Sequence, residues 1–134
     1  MTKNFTIEEF LHSATAYKLH ISNNPDLEQM ASLQELAIHL LQPLRDRYGK
    51  PITITSGYRC KALNSLLRGA DHSQHLRGEA ADITSADNRR LLAILKELPY
   101  DQLIPYRDKA DGTIVWIHVS CCPKPRRQVF CKYI

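Results

Sequence analysis

The sequence predicts an α+β fold in which helices flank a small, mainly antiparallel sheet that carries the functional site. Three observations lead there. Between residues 27 and 48 the apolar side chains recur at threes and fours, the period of an amphipathic helix. Residues 51–56 (Pro-Ile-Thr-Ile-Thr-Ser) and 113–120 (Thr-Ile-Val-Trp-Ile-His-Val-Ser) are rich in β-branched residues, as half-buried strands are. Helical patterns come first and strands mixed with helices follow, so there is no regular strand–helix alternation of a parallel sheet.

Taken in order, Thr6-Ile-Glu-Glu9 has the spacing of a capping box, and Phe10 and Leu11 follow it. Residues 13–24 show no sustained period. At Asn23-Asn24-Pro25 the chain offers a cap in Asn24 and a first helical position in Pro25. Leu27, Met30, Leu33, Leu36, Ala37, Leu40, Leu41, Leu44 and Tyr48 then form the stripe of the main core helix. Pro43 removes a backbone donor and predicts a kink near its end, and Gly49 is the natural stop.

In the strand at 51–56, Ile52 and Ile54 face the core. Residues 60–67 read as a short helix with Leu63, Leu66 and Leu67 inward, and 68–71 as a loop. Residues 80–84 read as a strand. Asp87 caps a helix that runs to Glu97, with Leu91, Leu92, Ile94, Leu95 and Leu98 apolar. Strands at 101–106 and 113–120 are joined by a polar loop containing Gly112, and 127–133 adds another strand.

A chain of 134 residues with 43% hydrophobic residues fits one domain, residues 1–134. No apolar run approaches the roughly 20 residues that span a bilayer, and the opening Met-Thr-Lys-Asn-Phe-Thr lacks a signal-peptide pattern, so synthesis as a soluble cytosolic chain is expected. The net charge of +4 is mild, and without a basic run interleaved with aromatics it argues against nucleic acid. Cys60, Cys121, Cys122 and Cys131 have neither Cys-x-x-Cys spacing nor the look of a disulfide framework, and read as reduced, partly buried thiols.

The chemistry is concentrated in Ser73-Gln-His-Leu-Arg-Gly-Glu-Ala-Ala-Asp82. His75 and Asp82 can reach one cation if Gly78 turns the backbone, with Ala80 and Ala81 small enough for close packing. His118, on the stiff strand at 113–120, is the best third donor. A catalytic zinc takes three protein ligands and leaves one position open, and it lowers the pKa of its water from 15.7 to roughly 7. On the residues alone, His75, Asp82 and His118 stand against ordinary hydrogen-bonded histidines. His72 competes with His75, whereas His12, His20 and His39 have no partner at ligand spacing. Glu79 on an alternating strand points away from Asp82 and reads as structural. Two imidazoles and a carboxylate also suit other divalent metals.

Ser73-x-His75-x-x-Gly78-x-Ala80-x-Asp82, Trp116-Ile-His118-Val and the upstream Ser56-Gly-Tyr-Arg59 together resemble the M15 family of zinc D-alanyl-D-alanine peptidases, in particular its phage and bacterial cell-wall-lytic branch. Phe5-Thr-x-x-Glu, Pro43-Leu-Arg, Gly49-Lys-Pro-Ile, Asp101-Gln-Leu-Ile and Arg126-Arg-Gln-Val extend the likeness over most of the chain. The resemblance implies a D-Ala-D-Ala metallopeptidase-like fold of the hedgehog/DD-peptidase type. It implies one zinc ion on His75, Asp82 and His118, and Arg59 on the substrate or its developing oxyanion. It further implies Ser73 positioning the peptide, and action at the cell wall after release. A guanidinium fork suits a carboxylate or an oxyanion, and lysine does not replace it well. Trp116 is either core packing or a wall of the peptide groove.

The general base departs from the family pattern. Many relatives place a glutamate three residues before the last histidine, where this chain has Val115; Pro105 and Tyr106 follow the Asp-Gln-Leu-Ile segment where the nearest branch has another glutamate. Asp101, Tyr106, Asp108 and Asp111 are the groups available in the hairpin, and none is selected by sequence. The expected function is hydrolysis of a D-amino-acid-containing bond in peptidoglycan stem peptides, as a carboxypeptidase or endolysin-like endopeptidase, by a monomer that does not insert into membranes. The alternatives are a zinc-binding wall or phage structural module with weak or lost catalysis, and a small-molecule zinc hydrolase.

Overall fold

A computed structural model describes residues 1–134. The order is α1 (Ile7–Leu11), α2 (Ala14–Lys18), α3 (Leu27–Leu36), a π-helical segment (Ala37–Leu41), α4 (Gln42–Tyr48), β1 (Thr53–Ser56), α5 (Lys61–Leu66), a 3-10 turn (Gln74–Arg77), β2 (Ala80–Thr84), α6 (Asn88–Leu95), β3 (Gln102–Arg107), β4 (Ile114–Ser120), β5 (Gln128–Val129) and β6 (Lys132–Tyr133). The strands form one sheet in the order β1-β2-β4-β3-β5, with β6 also on β3. β1, β2, β4 and β3 pair antiparallel, whereas β5 and β6 run parallel to β3. The fold class is as expected, a mainly antiparallel sheet with flanking helices, to which β5 and β6 add parallel pairings. No helix is long and apolar enough to cross a membrane.

Local chemistry explains most elements. At α1 the Glu9 carboxylate accepts from the Thr6 N–H at 3.1 Å, as the capping box predicts. Residues 14–18, which show no period, form α2 capped by the Ser13 hydroxyl; five residues are too few to display a repeat. The cap of α3 is Asp26 rather than Asn24. Asp26 accepts from the Gln29 N–H and Gln29 from the Asp26 N–H, both at 2.8 Å, so two orphan donors are satisfied together. The neighbouring asparagine, Asn23, turns inward instead, donating to Leu11 O and Tyr58 O and accepting from the Cys60 N–H.

The expected kink at Pro43 takes the form of the π-helical segment, in which the Gln42 N–H reaches back to Ala37 O. A wider turn absorbs the missing proline donor and keeps Leu40, Leu41 and Leu44 buried. Gly49 ends α4 in the left-handed region. Pro105 lies between the β3 residues that pair with β5 and those that pair with β6, where its missing N–H is tolerated.

Several apolar side chains expected inside are outside. Leu27 and Met30, on the first turns of α3, are exposed, and so are Leu66 and Leu67 at the end of α5. Leu27 opens α3, and Leu66 and Leu67 lie where α5 ends. Ile52 is buried but precedes β1.

The period of two along the strands divides the sheet into two faces. Ala81, Ile83, Leu103, Ile117 and Val119 are fully buried and join Leu33, Leu36, Leu40, Leu44, Leu91 and Leu95 from α3, the π segment, α4 and α6 in one core. Burying each of the leucine, isoleucine and valine side chains among them is worth roughly 1.5–3 kcal/mol. The alternate residues Asp82, Ile104, Tyr106, Trp116 and His118 line a cleft on the other face.

Candidate metal centre

β2 and β4 place Asp82 directly opposite His118, and cross-strand partners project to the same face. His118 Nδ1 stands 2.9 Å from Asp82 Oδ1. His75 arrives from the 3-10 turn, with Nε2 3.4 Å from the same oxygen. The ligand atoms of His75, Asp82 and His118 all lie within 4.8 Å of one another, so one cation could engage all three.

The second nitrogen of His75 is already committed. Nδ1 lies 2.6 Å from Gly57 O, an arrangement in which Nδ1–H donates and Nε2 keeps its lone pair for a metal. The turn carrying His75 is seated on α3: Gln29 Nε2 donates to Leu76 O at 3.0 Å, and Gly78 has φ +72°. A β-carbon there would approach Gln29 O to 2.5 Å, so both the dihedral and the packing demand glycine. Burial pushes the Asp82 carboxyl up, but the His118 and His75 imidazoles beside it outweigh burial and hold Asp82 well below the usual carboxylate range. Asp82 is thus a carboxylate at neutral pH. Two imidazoles and a carboxylate around an open cleft fit a catalytic divalent ion and not a closed thiolate site.

Arg59 is placed by three side-chain contacts. Its Nη2 is 3.4 Å from Asp82 Oδ2, Nε is 3.0 Å from Ser56 Oγ and Nη1 is 3.4 Å from Asn64 Oδ1. Its backbone N–H donates to His75 O at 3.1 Å. Asp82 therefore turns one oxygen to the two histidines and the other to Arg59.

The cleft, of about 860 Å³, brings Arg59, Ser73, His75, Asp82, Tyr106, Trp116 and His118 together. Ser73 lines it and also caps the 3-10 turn, its Oγ accepting from the His75 N–H at 3.2 Å. Tyr106 and Trp116 are direct partners across β3 and β4, with rings stacked at 4.6 Å and 18°. Trp116 thus faces the cleft.

The hairpin acids lie elsewhere. Asp101 is fully buried and accepts from Gln74 Nε2, Ser120 Oγ and the N–H, Nε and Nη2 of Arg126, at 2.7–3.0 Å. Those donors occupy its oxygens, and the Arg126 hydrogen bonds, countered by burial, hold its carboxyl well below the usual range. A carboxylate so engaged is a clamp between the His75 turn, β4 and the C-terminal segment, and Asp101 does not line the cleft. Asp108 accepts from the Ala110 N–H in the hairpin loop and Asp111 from the Thr113 N–H, and neither lines the cleft. Val115 is exposed and also outside it.

Glu79, expected to point away, does line the cleft; it precedes β2, so strand alternation does not govern it. Its carboxylate is 2.8 Å from Arg77 Nε. His72 lines the cleft but is not part of the metal-ligand cluster. His12, His20 and His39 are exposed, and His39 pairs with Glu35 at 2.8 Å. Of the thiols, Cys131 is exposed, while burial pushes Cys121 up to about 11. Gly57, Gln74 and Arg126 lie within the motifs Ser56-Gly-Tyr-Arg59, Ser73-Gln-His75 and Arg126-Arg-Gln-Val but carry no role that the sequence reveals, and for Gln29 the one signal is the Asp26-x-x-Gln29 capping spacing.

No curated protein matches the chain. A profile of the family Peptidase M15 matches residues 3–120, from just before α1 to the last residue of β4. The match takes in His75, Asp82, His118 and Arg59 together with β2 and β4, and the chain belongs to the peptidase M15 family.

Proposed function

We propose that the protein is a zinc metallopeptidase that hydrolyses a D-amino-acid-containing bond in peptidoglycan stem peptides, as a carboxypeptidase or an endolysin-like endopeptidase, acting as a monomer at the cell wall. The observation that carries this reading is the convergence of His75, Asp82, His118 and Arg59 on one wall of a peptide-sized cleft.

His75, Asp82 and His118 would hold the ion, with His75 oriented by Gly57 O and Asp82 by Arg59. When bound, zinc supplies Lewis acidity at the scissile carbonyl and makes water acidic enough to ionise near neutral pH. Arg59 presents fixed N–H donors to the oxyanion or to a terminal carboxylate of the substrate. Tyr106 and Trp116 form a flat wall for the peptide, and Ser73 offers it a hydroxyl. Proton transfer falls to an ionisable cleft group that is not a ligand, namely Glu79, His72 or Tyr106.

The test is metal analysis of the purified protein together with hydrolysis of defined muropeptides by the wild type and His118→Ala. About one zinc per chain, with cleavage that His118→Ala abolishes, is the expected result. Metal-free protein, or undiminished cleavage by the variant, overturns the reading.

One observation favours a second reading, a zinc-binding wall or phage structural module with weak catalysis: Val115 and Asp101 leave the hairpin without a free acid in the cleft. Zinc-dependent stem-peptide binding without turnover supports it, and robust hydrolysis excludes it.

A further inference from the structure

Residues 121–134 follow the last residue of the family match, yet they build part of the cleft. The segment is firmly attached. Arg126 grips Asp101, Arg127 stacks its guanidinium 4.0 Å from the Tyr100 ring centroid, and β5 and β6 pair with β3. From this attachment Lys124 and Lys132 reach the cleft lining.

The cleft is strongly cationic. Six lysines and arginines line it against two carboxylates, Glu79 and Asp82, and with Asp101 beneath the wall holding Arg126 an excess of three positive charges remains before any metal is counted. Three of the six are matched: Arg59 with Asp82, Arg77 with Glu79 and Arg126 with the buried Asp101. Arg68, Lys124 and Lys132 have no carboxylate within 4.0 Å. Lys132 is also positioned: its ammonium sits 5.7 Å from the centroid of the Tyr106 ring, which stacks on Trp116 two residues from His118. Unmatched charge beside the aromatic wall of a substrate cleft is a specificity device, because it attracts an anionic group at a fixed offset from the reacting centre.

We propose that Lys124 and Lys132 form an anion-binding subsite that takes a second carboxylate of the peptide substrate, away from the scissile bond. The subsite rests on the peptidase reading of the cleft. It predicts that the enzyme separates stem peptides by the state of a side carboxylate, free or amidated, and not only by the bond cleaved.

Two synthetic pentapeptides ending in D-Ala-D-Ala test this. They are identical except that the γ-linked D-glutamate carries a free α-carboxylate in one and its amide in the other. For the zinc-loaded protein, kcat/KM gives the cleavage preference, and fluorescence of Trp116, the chain's one tryptophan, gives affinity. The expected preference for the free carboxylate is about three- to tenfold, the scale of two solvent-exposed charge pairs. It should fall towards one in K124Q/K132Q, reverse in K132E and shrink in 0.5 M salt.

A ratio of one in the wild type, or a ratio that survives the double substitution, overturns the subsite. Discrimination in fluorescence without cleavage of either peptide sinks the peptidase reading and leaves the subsite standing. Cleavage of both without discrimination does the reverse.

Discussion

The β-carbon that Gly78 lacks would lie 2.5 Å from the carbonyl oxygen of Gln29, so the turn that delivers His75 closes directly onto the first turns of α3. A second glycine, Gly112, has a similar φ of +76° with nothing within 4 Å of its missing β-carbon. The two separate dihedral strain from packing. Gly112→Ala should cost about 1–2 kcal/mol of stability, the price of the left-handed region alone. Gly78→Ala should cost more, about 3 kcal/mol or above, and weaken zinc binding as well. Urea unfolding and zinc titration of both variants check this; equal costs would contradict the close approach.

Asp101, like Asp82, contributes a pH-dependent part of stability. Its folded pKa lies below the unfolded value, near 3.9, so its contribution is complete above about pH 4 and is lost as pH falls towards the folded pKa. Asp101→Asn should destabilise by about 2–4 kcal/mol at pH 7, because Gln74, Ser120 and Arg126 lose a charged acceptor. The gap between wild type and variant should narrow below pH 4. Chemical denaturation from pH 7 to pH 3 measures it, and a constant gap would show that the carboxylate charge is not what matters.

Asp82 touches both histidines and Arg59, so its loss should do more than remove one ligand. Asp82→Asn should release zinc and lower hydrolysis by at least about 10³-fold, while Arg59→Lys should retain zinc and lower kcat by about 10²- to 10³-fold. Metal content and kcat measured on the same samples separate the two effects. A chelator should silence the wild type, and added zinc should restore it.

The proton-transfer group is tested by comparing Glu79→Gln, His72→Gln and Tyr106→Phe. Each residue lines the cleft, and none is a ligand. The one that moves the proton should lower kcat by about 10²- to 10⁴-fold and erase one limb of the pH–rate profile. The other two should leave both limbs in place.

Stacking of Tyr106 on Trp116 makes a further separation. Trp116→Ala should raise KM several-fold with a smaller change in kcat, since the ring walls the cleft rather than reaching the ligand atoms. Steady-state kinetics on a defined muropeptide decide it. An effect confined to kcat would move Trp116 from substrate wall to support for His118.

Much of this protein can be read along the chain, because the signals are local. The Thr6 to Glu9 capping box, the stripe from Leu33 to Tyr48, the strand at His118 and the spacing of His75, Gly78 and Asp82 all depend on residues within a turn or a strand of one another. Most of the helices and the strands follow from such patterns, whereas His75, Asp82 and His118 are singled out as a set by the likeness to a known family. What needed tertiary structure was every pairing between distant segments. That Asp101 is spent as a clamp follows from Arg126 reaching it from 25 residues away, and that Gln29 seats the His75 turn follows from a contact 47 residues apart. The same holds for Lys132, whose approach to Tyr106 depends on the parallel register of β6 with β3. Hydrogen-bond satisfaction and charge matching are sums over neighbours in space, and a sequence supplies only neighbours in order.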